Sequence, residues 1–363
     1  MNFSPLPQAV GPMPRPVRIS ELRAREWATA AFVAAGMRKD DAGLVSNSLV
    51  HADCRGVFSH GLMRVRAYAK RLLSGSTDAL ATPKVVENLG ATVVIDGHNA
   101  MGPVVAELAV DQAVAQARVH GVGIAAVRGS NHFGTCEYYA MKVSTQKMIG
   151  FVATVSAHNS MAPFGGAEAL IGNNPLAIAI PTLDAPPLVL DMAMSVAAGG
   201  KIRLASETGD PIPEEWAFDA AGNPTRNAQA ALDGTMRPMA GYKGYGLSLM
   251  VAMLAALLPG AAFGRDVGDM YREFTHAGDV GHFFQAIDIG RFGDRELFLQ
   301  RVDAAIDLMH SAKKAAGFGQ ILVPGEREHL ISVEQLAYGI RYPQAIVDDL
   351  NAVAGELGIA GLT

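Results

Sequence analysis

The residues best suited to chemistry lie in the run Asp53-Cys54-Arg55-Gly56-Val57-Phe58-Ser59-His60-Gly61-Leu62-Met63-Arg64. If Ser59 caps a helix, His60 falls in its first turn and Arg64 one turn further on. Side chains four apart share a helix face, and Tyr68 continues it. A histidine beside an arginine makes a poor structural core but suits a 2-oxo acid. The guanidinium is a planar bidentate fork for a carboxylate. The imidazole can hand a proton to the neighbouring carbonyl oxygen as the carbon is reduced. From this run alone the plainer reading, a cap followed by two surface residues, is equally open, because exposed His and Arg are ordinary.

Three further clusters carry the same double meaning. Arg128-Gly129-Ser130-Asn131-His132-Phe133-Gly134 follows an apolar strand. Ser130 or Asn131 can cap the next helix, whose amides would then face an anion with His132 beside it; an ordinary loop is the alternative. Gly172-Asn173-Asn174-Pro175 precedes another strand, and Asp191-Met192-Ala193-Met194-Ser195 ends a third. Asp191 can orient a histidine, bind a ribose or, most commonly for such a residue, cap a helix. Gly241-Tyr242-Lys243-Gly244-Tyr245-Gly246 opens an apolar helix, where Lys243 can meet a phosphate, a ribose or only solvent. The histidines show no metal-binding H-x-x-x-H or H-E-x-x-H spacing, so no metal is expected.

These clusters need a scaffold, and the chain is long enough to supply one. Of its 363 residues 50% are hydrophobic and 18% charged, which provides for a large core. The net charge of −5 and pI near 6.1 argue against nucleic acid as a partner, since that usually shows as a basic stripe. Two cysteines, Cys54 and Cys136, make no disulfide framework and suit a reducing compartment. The N-terminus lacks the pattern of a signal peptide, so a cytoplasmic location is expected. The strongest apolar run, Leu247 to Leu258, stops at Pro259. It falls short of the ~20 residues of a membrane span and reads as a buried core helix.

Along the chain, a proline-rich arm to about Pro16 gives way to helices. Ser20 caps the first, which stops at Gly36; Asp40 or Asp41 starts the second; Ser59 starts a third that breaks at Ser74-Gly75. Short strands follow at VVENL and ATVVID, then a helix opened by Pro103, the strands GIAAV, FVATV, LAIAI and LVLD, and a glycine-rich helical stretch. A loop spans roughly 209 to 237. The strand HFFQAIDI, a helix between Asp294 and Lys314, and the amphipathic PQAIVDDLNAVAGEL close the chain. The pattern predicts a mixed α/β body with a partly antiparallel sheet, because several strands are joined by short turns. Residues 1–80 form a helical unit carrying the histidine and arginine, 81–329 the mixed body, and 330–363 a helical tail that returns to pack on the first unit.

Gly121 to Ala126 fits a G-x-G-x-x-A string. A dinucleotide fingerprint needs a strand before the glycines and a helix after. Here a helix ends near His120 and a strand follows, so Gly121 reads as a helix stop.

Taken together and in order, DCRGVFSHGLMRVRAY, VRGSNHFGTCEYYA, IGNNPLAIAIP, LVLDMAMS, GYKGYGLSLMV and ILVPGERE resemble the malate/L-lactate dehydrogenase family that is distinct from the Rossmann-fold enzymes. Relatives of that family include ureidoglycolate and sulfolactate dehydrogenases, diketogulonate reductases and piperideine/pyrroline-2-carboxylate reductases. The resemblance spans residues 53 to 328. It implies a non-Rossmann fold and hydride transfer between NAD or NADP and C2 of a small 2-oxo or 2-hydroxy acid. A cyclic imino acid reductase, or a cofactor-free lyase or hydrolase using His60, are the rivals. It implies that His60 is the proton donor, with Ser59 and Asp191 as relay partners, and that Arg64 clamps the substrate carboxylate. His132, Phe133, Gly134, Thr135 and Cys136 would form part of the cofactor site, although His132 is the alternative acid/base. Asp191, Met192, Ala193, Tyr242, Lys243, Pro324, Gly325 and Glu326 would add further cofactor contacts. It also implies a homodimer or larger, with the site near the interface. Three positions depart from the usual pattern: Asn173, which points to a non-standard substrate, Met194, and Ala252 in the core helix.

Overall fold

The computed structural model describes residues 16–363, apart from the side chains at 204 and 207; the proline-rich arm therefore lies outside the described residues. The first elements follow local signals. β1 (Val17–Ile19) leads to Ser20, whose hydroxyl accepts the Arg23 N–H at 3.2 Å and opens α1 (Glu21–Ala34). α2 (Lys39–Cys54) has both Asp40 and Asp41 in its first turn, where the helix dipole favours acids. The third helix departs from the expectation. Ser59 is not a cap: Phe58–His60 and Leu62–Arg64 are separate 3-10 turns broken at Gly61, and only then does α3 (Val65–Ser74) begin.

The body is a seven-stranded sheet. β2 (Lys84–Asn88), β3 (Thr92–Asp96), β4 (Val122–Ser130), β5 (Met148–Thr154), β6 (Leu176–Ile180) and β7 (Leu188–Met192) all join it. So does a later strand, β10 (Val280–Asp288), inserted between β4 and β5 to give the order β2-β3-β4-β10-β5-β6-β7. Every neighbouring pair is antiparallel except β3–β4. That one parallel pair is joined by α4 (Gly102–His120), with Pro103 in its first turn. The mixed, partly antiparallel sheet agrees with the sequence reading. So does the rejection of the glycine string: Gly121 ends α4 at φ 86°. A Cβ on Gly123 would lie 1.9 Å from the Ala113 carbonyl oxygen, so that glycine lets β4 press against α4 and cradles no phosphate.

Apolar side chains fill both faces of the sheet. One core lies between the sheet, α4 and α5 (Cys136–Ser144), with Val93, Ile95, Tyr139 and Phe284 at its centre. The other joins the opposite face to the terminal helices through Trp27, Phe32, Tyr68 and Tyr342. Between β7 and β10 run α6 (Gly199–Thr208), α7 (Ala228–Asp233), the short pair β8 (Ala217–Phe218) and β9 (Thr235–Met236), and α8 (Tyr242–Ala252).

α8 continues into a π-helical turn, Met253–Leu257, and corrects a second expectation. Gly244, Ser248, Val251, Ala252, Ala255 and Ala256 face the body, whereas Leu247, Met250, Leu254, Leu257 and Leu258 are exposed. Small residues permit close packing, and the larger apolar ones form an outer face. No described helix is long and apolar enough to cross a membrane.

After α9 (Arg295–His310) comes α10 (Glu326–Tyr338), a helix not singled out in the sequence, then β11 (Ile340–Tyr342) and α11 (Gln344–Leu357). β11 pairs with β1, Trp27 donates to the Ala360 carbonyl, and Arg66 pairs with Asp349 and Glu356. The C-terminal segment thus packs on the first helices.

Candidate active site

The site is assembled around Gly61. Asp53, fully buried on α2, accepts hydrogen bonds from the Leu62 N–H (2.9 Å) and the Tyr342 hydroxyl (2.7 Å). Its carboxylate occupies the place where a Cβ on Gly61 would sit, 1.7 Å from Oδ1. Only glycine lets the chain pass so close, and the passage breaks the helix between His60 and Arg64. The two side chains still face one cleft, by two 3-10 turns instead of one α-helical face.

In that cleft His60 meets His132, which the β4–α5 loop brings in; the rings stack with centroids 5.6 Å apart. Ser59 Oγ lies 3.0 Å from His60 Nδ1. The Gly134 N–H donates to His132 Nδ1, and Tyr68 Oη lies 2.6 Å from the same atom. Nδ1 therefore keeps its lone pair, and the hydrogen-bond network assigns the proton of neutral His132 to Nε2. Burial, then the charge of Arg64, hold His60 down to about 3. The same causes, in the same order, followed by the other histidines, lower His132 well below the usual range. Burial pushes the Tyr68 phenol well above its usual range. In the free protein the cleft thus holds two neutral imidazoles, both only half-buried and open to a ligand. Arg64 donates to the hydroxyl of Tyr271, while its Nε is buried without a partner.

Asp191 does not join this group. It lies at the end of β7, and its Oδ2 accepts the Glu137 N–H at 3.2 Å. It therefore caps α5, a helix 54 residues earlier, and among the described residues no hydrogen bond links it to His60. Crowding by surrounding protein, then the charge of Glu137, push its carboxyl up to about 7, although the residue keeps an open surface. Around it stand the buried Arg55–Glu137 ion pair (2.9 Å) and the Pro324-Gly325 turn, whose Pro324 carbonyl accepts the Val189 N–H. Glu326 is engaged locally by His310 and the Val323 N–H.

The expected caps Ser130 and Asn131 have other work, because β4 runs on to Ser130 and the helix starts later, after Thr135. Ser130 Oγ meets His282 Nε2, and Asn131 ties the loop to Asn99, Ala100 and Thr77. Phe133 and Cys136 point into the core, so they can serve a ligand only through their backbone. Asn173 accepts from Ser156 Oγ (2.5 Å) and donates to Ser195 Oγ (3.4 Å), and its carbonyl accepts the Met194 N–H. Tyr242 and Lys243 are exposed at the start of α8, with Tyr242 against Phe164.

The N-terminus of α5 fits a dinucleotide. Its own N-cap residue, Thr135, makes no side-chain cap bond and keeps a buried hydroxyl without a partner, and Asp191 reaches this helix start only at the Glu137 N–H. Gly134 turns there at φ 92°. A helix start with unfilled donors is suited to a phosphate or ribose.

A family model for malate/L-lactate dehydrogenase matches residues 19–351. The chain belongs to this family. It is 34% identical over 354 residues to a malate dehydrogenase of Pyrococcus abyssi, covering 95% of this chain and 96% of the relative. It is also 34% identical to the (2R)-3-sulfolactate dehydrogenase (NADP(+)) of Chromohalobacter salexigens, over 93% of this chain and 98% of that one. The solved malate dehydrogenase of Pyrococcus horikoshii superposes with a TM-score of 0.88 at 32% identity, covering 97% and 99% of the two chains. As a member of the malate/L-lactate dehydrogenase family the protein is an NAD(P)-dependent oxidoreductase of the 2-hydroxy acid class, on a non-Rossmann sheet.

Several residues of the cleft carry no signal in the sequence. Tyr271, His158 and Arg203 come from loops and α6, with no motif to mark them. Arg55 and Glu137 sit inside the quoted motifs, but nothing in their spacing pairs them. His282, buried on β10, bonds Thr154 and Ser130 through its two ring nitrogens (2.6 and 2.8 Å) and stacks on Phe133 at 4.4 Å. It thereby anchors the loop that carries His132. His282→Phe keeps a ring but removes both bonds, and should cost about 1–3 kcal/mol of stability, read by urea unfolding.

Proposed function

We propose that the protein interconverts a small 2-oxo acid and its 2-hydroxy acid, with His60 exchanging the proton at the C2 oxygen. The observation that carries this reading is the single cleft shared by His60, His132 and an Arg64 whose Nε has no partner. Bound nicotinamide supplies or accepts a hydride. Arg64 holds the substrate carboxylate and so fixes the carbonyl beside the imidazole, an orientation effect able to contribute several kcal/mol. His60 delivers its proton to the developing alkoxide; Ser59 steadies the ring at Nδ1. His132, protonated at Nε2, stands beside it as a hydrogen-bond donor to the same oxygen. The backbone of residues 133–136, Thr135, Asp191 to Ala193, Tyr242-Lys243 and Pro324 to Glu326 hold the dinucleotide. Residues 1–80 with 330–363 act as the unit carrying the proton donor, against the cofactor-binding body 81–329.

The exposed apolar faces of α8 and of α10 (Leu330, Val333, Leu336) support self-association as a homodimer or larger, and two free buried cysteines are consistent with work in the cytoplasm. An absorbance assay with NADH and NADPH in parallel, against pyruvate, oxaloacetate and piperideine-2-carboxylate, tests the reaction. Turnover of an oxo acid supports it. Turnover of the cyclic imine alone replaces it with the imino acid reading, and the absence of any nicotinamide binding rejects it.

The pH dependence follows from the depressed His60. Its neutral form dominates in the free enzyme above about 3. Oxidation of the hydroxy acid needs that neutral base, so its kcat/KM should stay flat as pH falls from 8 toward about 5. Reduction needs the imidazolium, whose population above the pKa falls about tenfold per pH unit; kcat/KM for reduction should fall with that slope as pH rises from about 5 to 8. A reductive profile flat to pH 7 would contradict the assignment.

A further inference from the structure

We propose that Arg203 is a second anion clamp, and that the substrate therefore carries an acidic group at the end opposite its C1 carboxylate. This rests on the hydroxy acid reading above. The platform is Tyr271. The Arg64 guanidinium lies 5.3 Å from its ring centroid, the Arg203 guanidinium 5.2 Å, and His158 meets it edge-on at 5.3 Å. The two guanidinium carbons cannot be further apart than those two distances combined, a span that one small diacid can bridge.

Neither arginine has a carboxylate partner among the described residues, and Arg64 Nε is buried without any. Of the two carboxylates flanking Tyr271, Asp269 accepts the backbone N–H groups of Tyr271 and Arg272, and Glu273 meets His276. Two like charges gathered on one ring repel each other, and a bound dianion relieves that repulsion. Both charges also bear on His158, which burial and then Arg64, Arg203 and Arg272 lower against the opposing pull of Asp269.

α6, which carries Arg203, is positioned for this. A Cβ on Gly200 would come 3.7 Å from the Cβ of Ser59, so the helix begins against the residue adjoining His60. Arg203 is exposed, as a residue that closes on a ligand from the open side of a cleft should be. Arginine suits the task because its planar fork meets either a carboxylate or a sulfonate with paired donors.

The test compares oxaloacetate with 2-oxobutyrate, which has the same carbon count but lacks the second acid. The wild-type ratio of kcat/KM should favour oxaloacetate. Arg203→Gln should lower that ratio by about 10- to 100-fold, mainly through KM, and Arg203→Lys should restore part of it. An equal loss on both acids, or no loss, would overturn the proposal, since a structural role moves both substrates together. Calorimetric titration of L-malate and L-lactate into wild type and Arg203→Gln keeps the two readings apart. Selective loss of malate binding supports the clamp even if no oxo acid is turned over; equal binding of malate to both proteins sinks it whatever the assay shows.

Discussion

Replacing His60 with alanine is expected to lower kcat by about 10²- to 10⁴-fold, the range that a positioned general acid contributes, with little change in nicotinamide affinity. His60 touches Ser59 and His132 and stands beside Arg64, but makes no hydrogen bond with Asp191 or the start of α5. Losing it should therefore leave the cofactor seat intact. Arg64→Ala should behave differently, raising KM for the acid before it affects the chemical step. Rapid kinetics with a fluorescence titration of NADH and NADPH separates the two. Near-normal turnover by the His60 variant would transfer the proton-donor role to His132. The assigned tautomer makes that a demanding alternative, because Nδ1 of His132 is already engaged by Tyr68 and Gly134.

The second large effect is on stability. Gly61→Ala should destabilise the fold by about 3 kcal/mol or more. The new methyl would overlap the Asp53 carboxylate, which is fully buried and cannot swing into solvent. Overpacking alone costs roughly 1–3 kcal/mol. Displacing Asp53 also leaves the Leu62 N–H and the Tyr342 hydroxyl unsatisfied, at roughly 1–3 kcal/mol each. Activity should fall with it, because Gly61 sets the direction in which His60 and Arg64 leave the chain. Thermal unfolding with circular dichroism reads the loss. An unchanged Tm would mean that Asp53 is not the fixed point around which the site is built. Gly56→Ala is an informative contrast, because its new Cβ would meet only Ile331 side-chain atoms at 3.2–3.3 Å, although its φ of 79° adds strain.

Much of this arrangement was legible in the sequence because the chemistry is concentrated in short runs with strong local signals. Ser20, Gly36, Gly75 and Gly121 mark helix ends by capping or positive φ, and the structure uses each of them so. The direction of elements around Gly121 excluded a Rossmann loop without any coordinates. The failures share a physical cause: they are tertiary overrides of local pattern. Ser59 looks like a cap, yet the buried Asp53 carboxylate 6 residues earlier bends the chain at Gly61 and breaks the helix. Asp191 caps a helix, as such residues commonly do, but one 54 residues earlier in the chain, which local spacing cannot show. The apolar run from Leu247 reads as core by composition; only packing reveals that its small residues face inward and its large ones outward. Tyr271 and Arg203 lie in segments without periodicity, and they become part of the cleft only when the loop after α8 folds back against α6.

Every residue role assigned above serves one step, hydride transfer to C2 with proton delivery from the protein. Reduced nicotinamide deuterated at C4, incubated with the enzyme and its preferred 2-oxo acid, tests it most directly through mass spectrometry of the product. The expected product is a 2-hydroxy acid with one deuterium at C2 from the cofactor and an oxygen-bound proton from solvent. A product with no cofactor deuterium at C2, formed while the oxo acid is consumed, would contradict it.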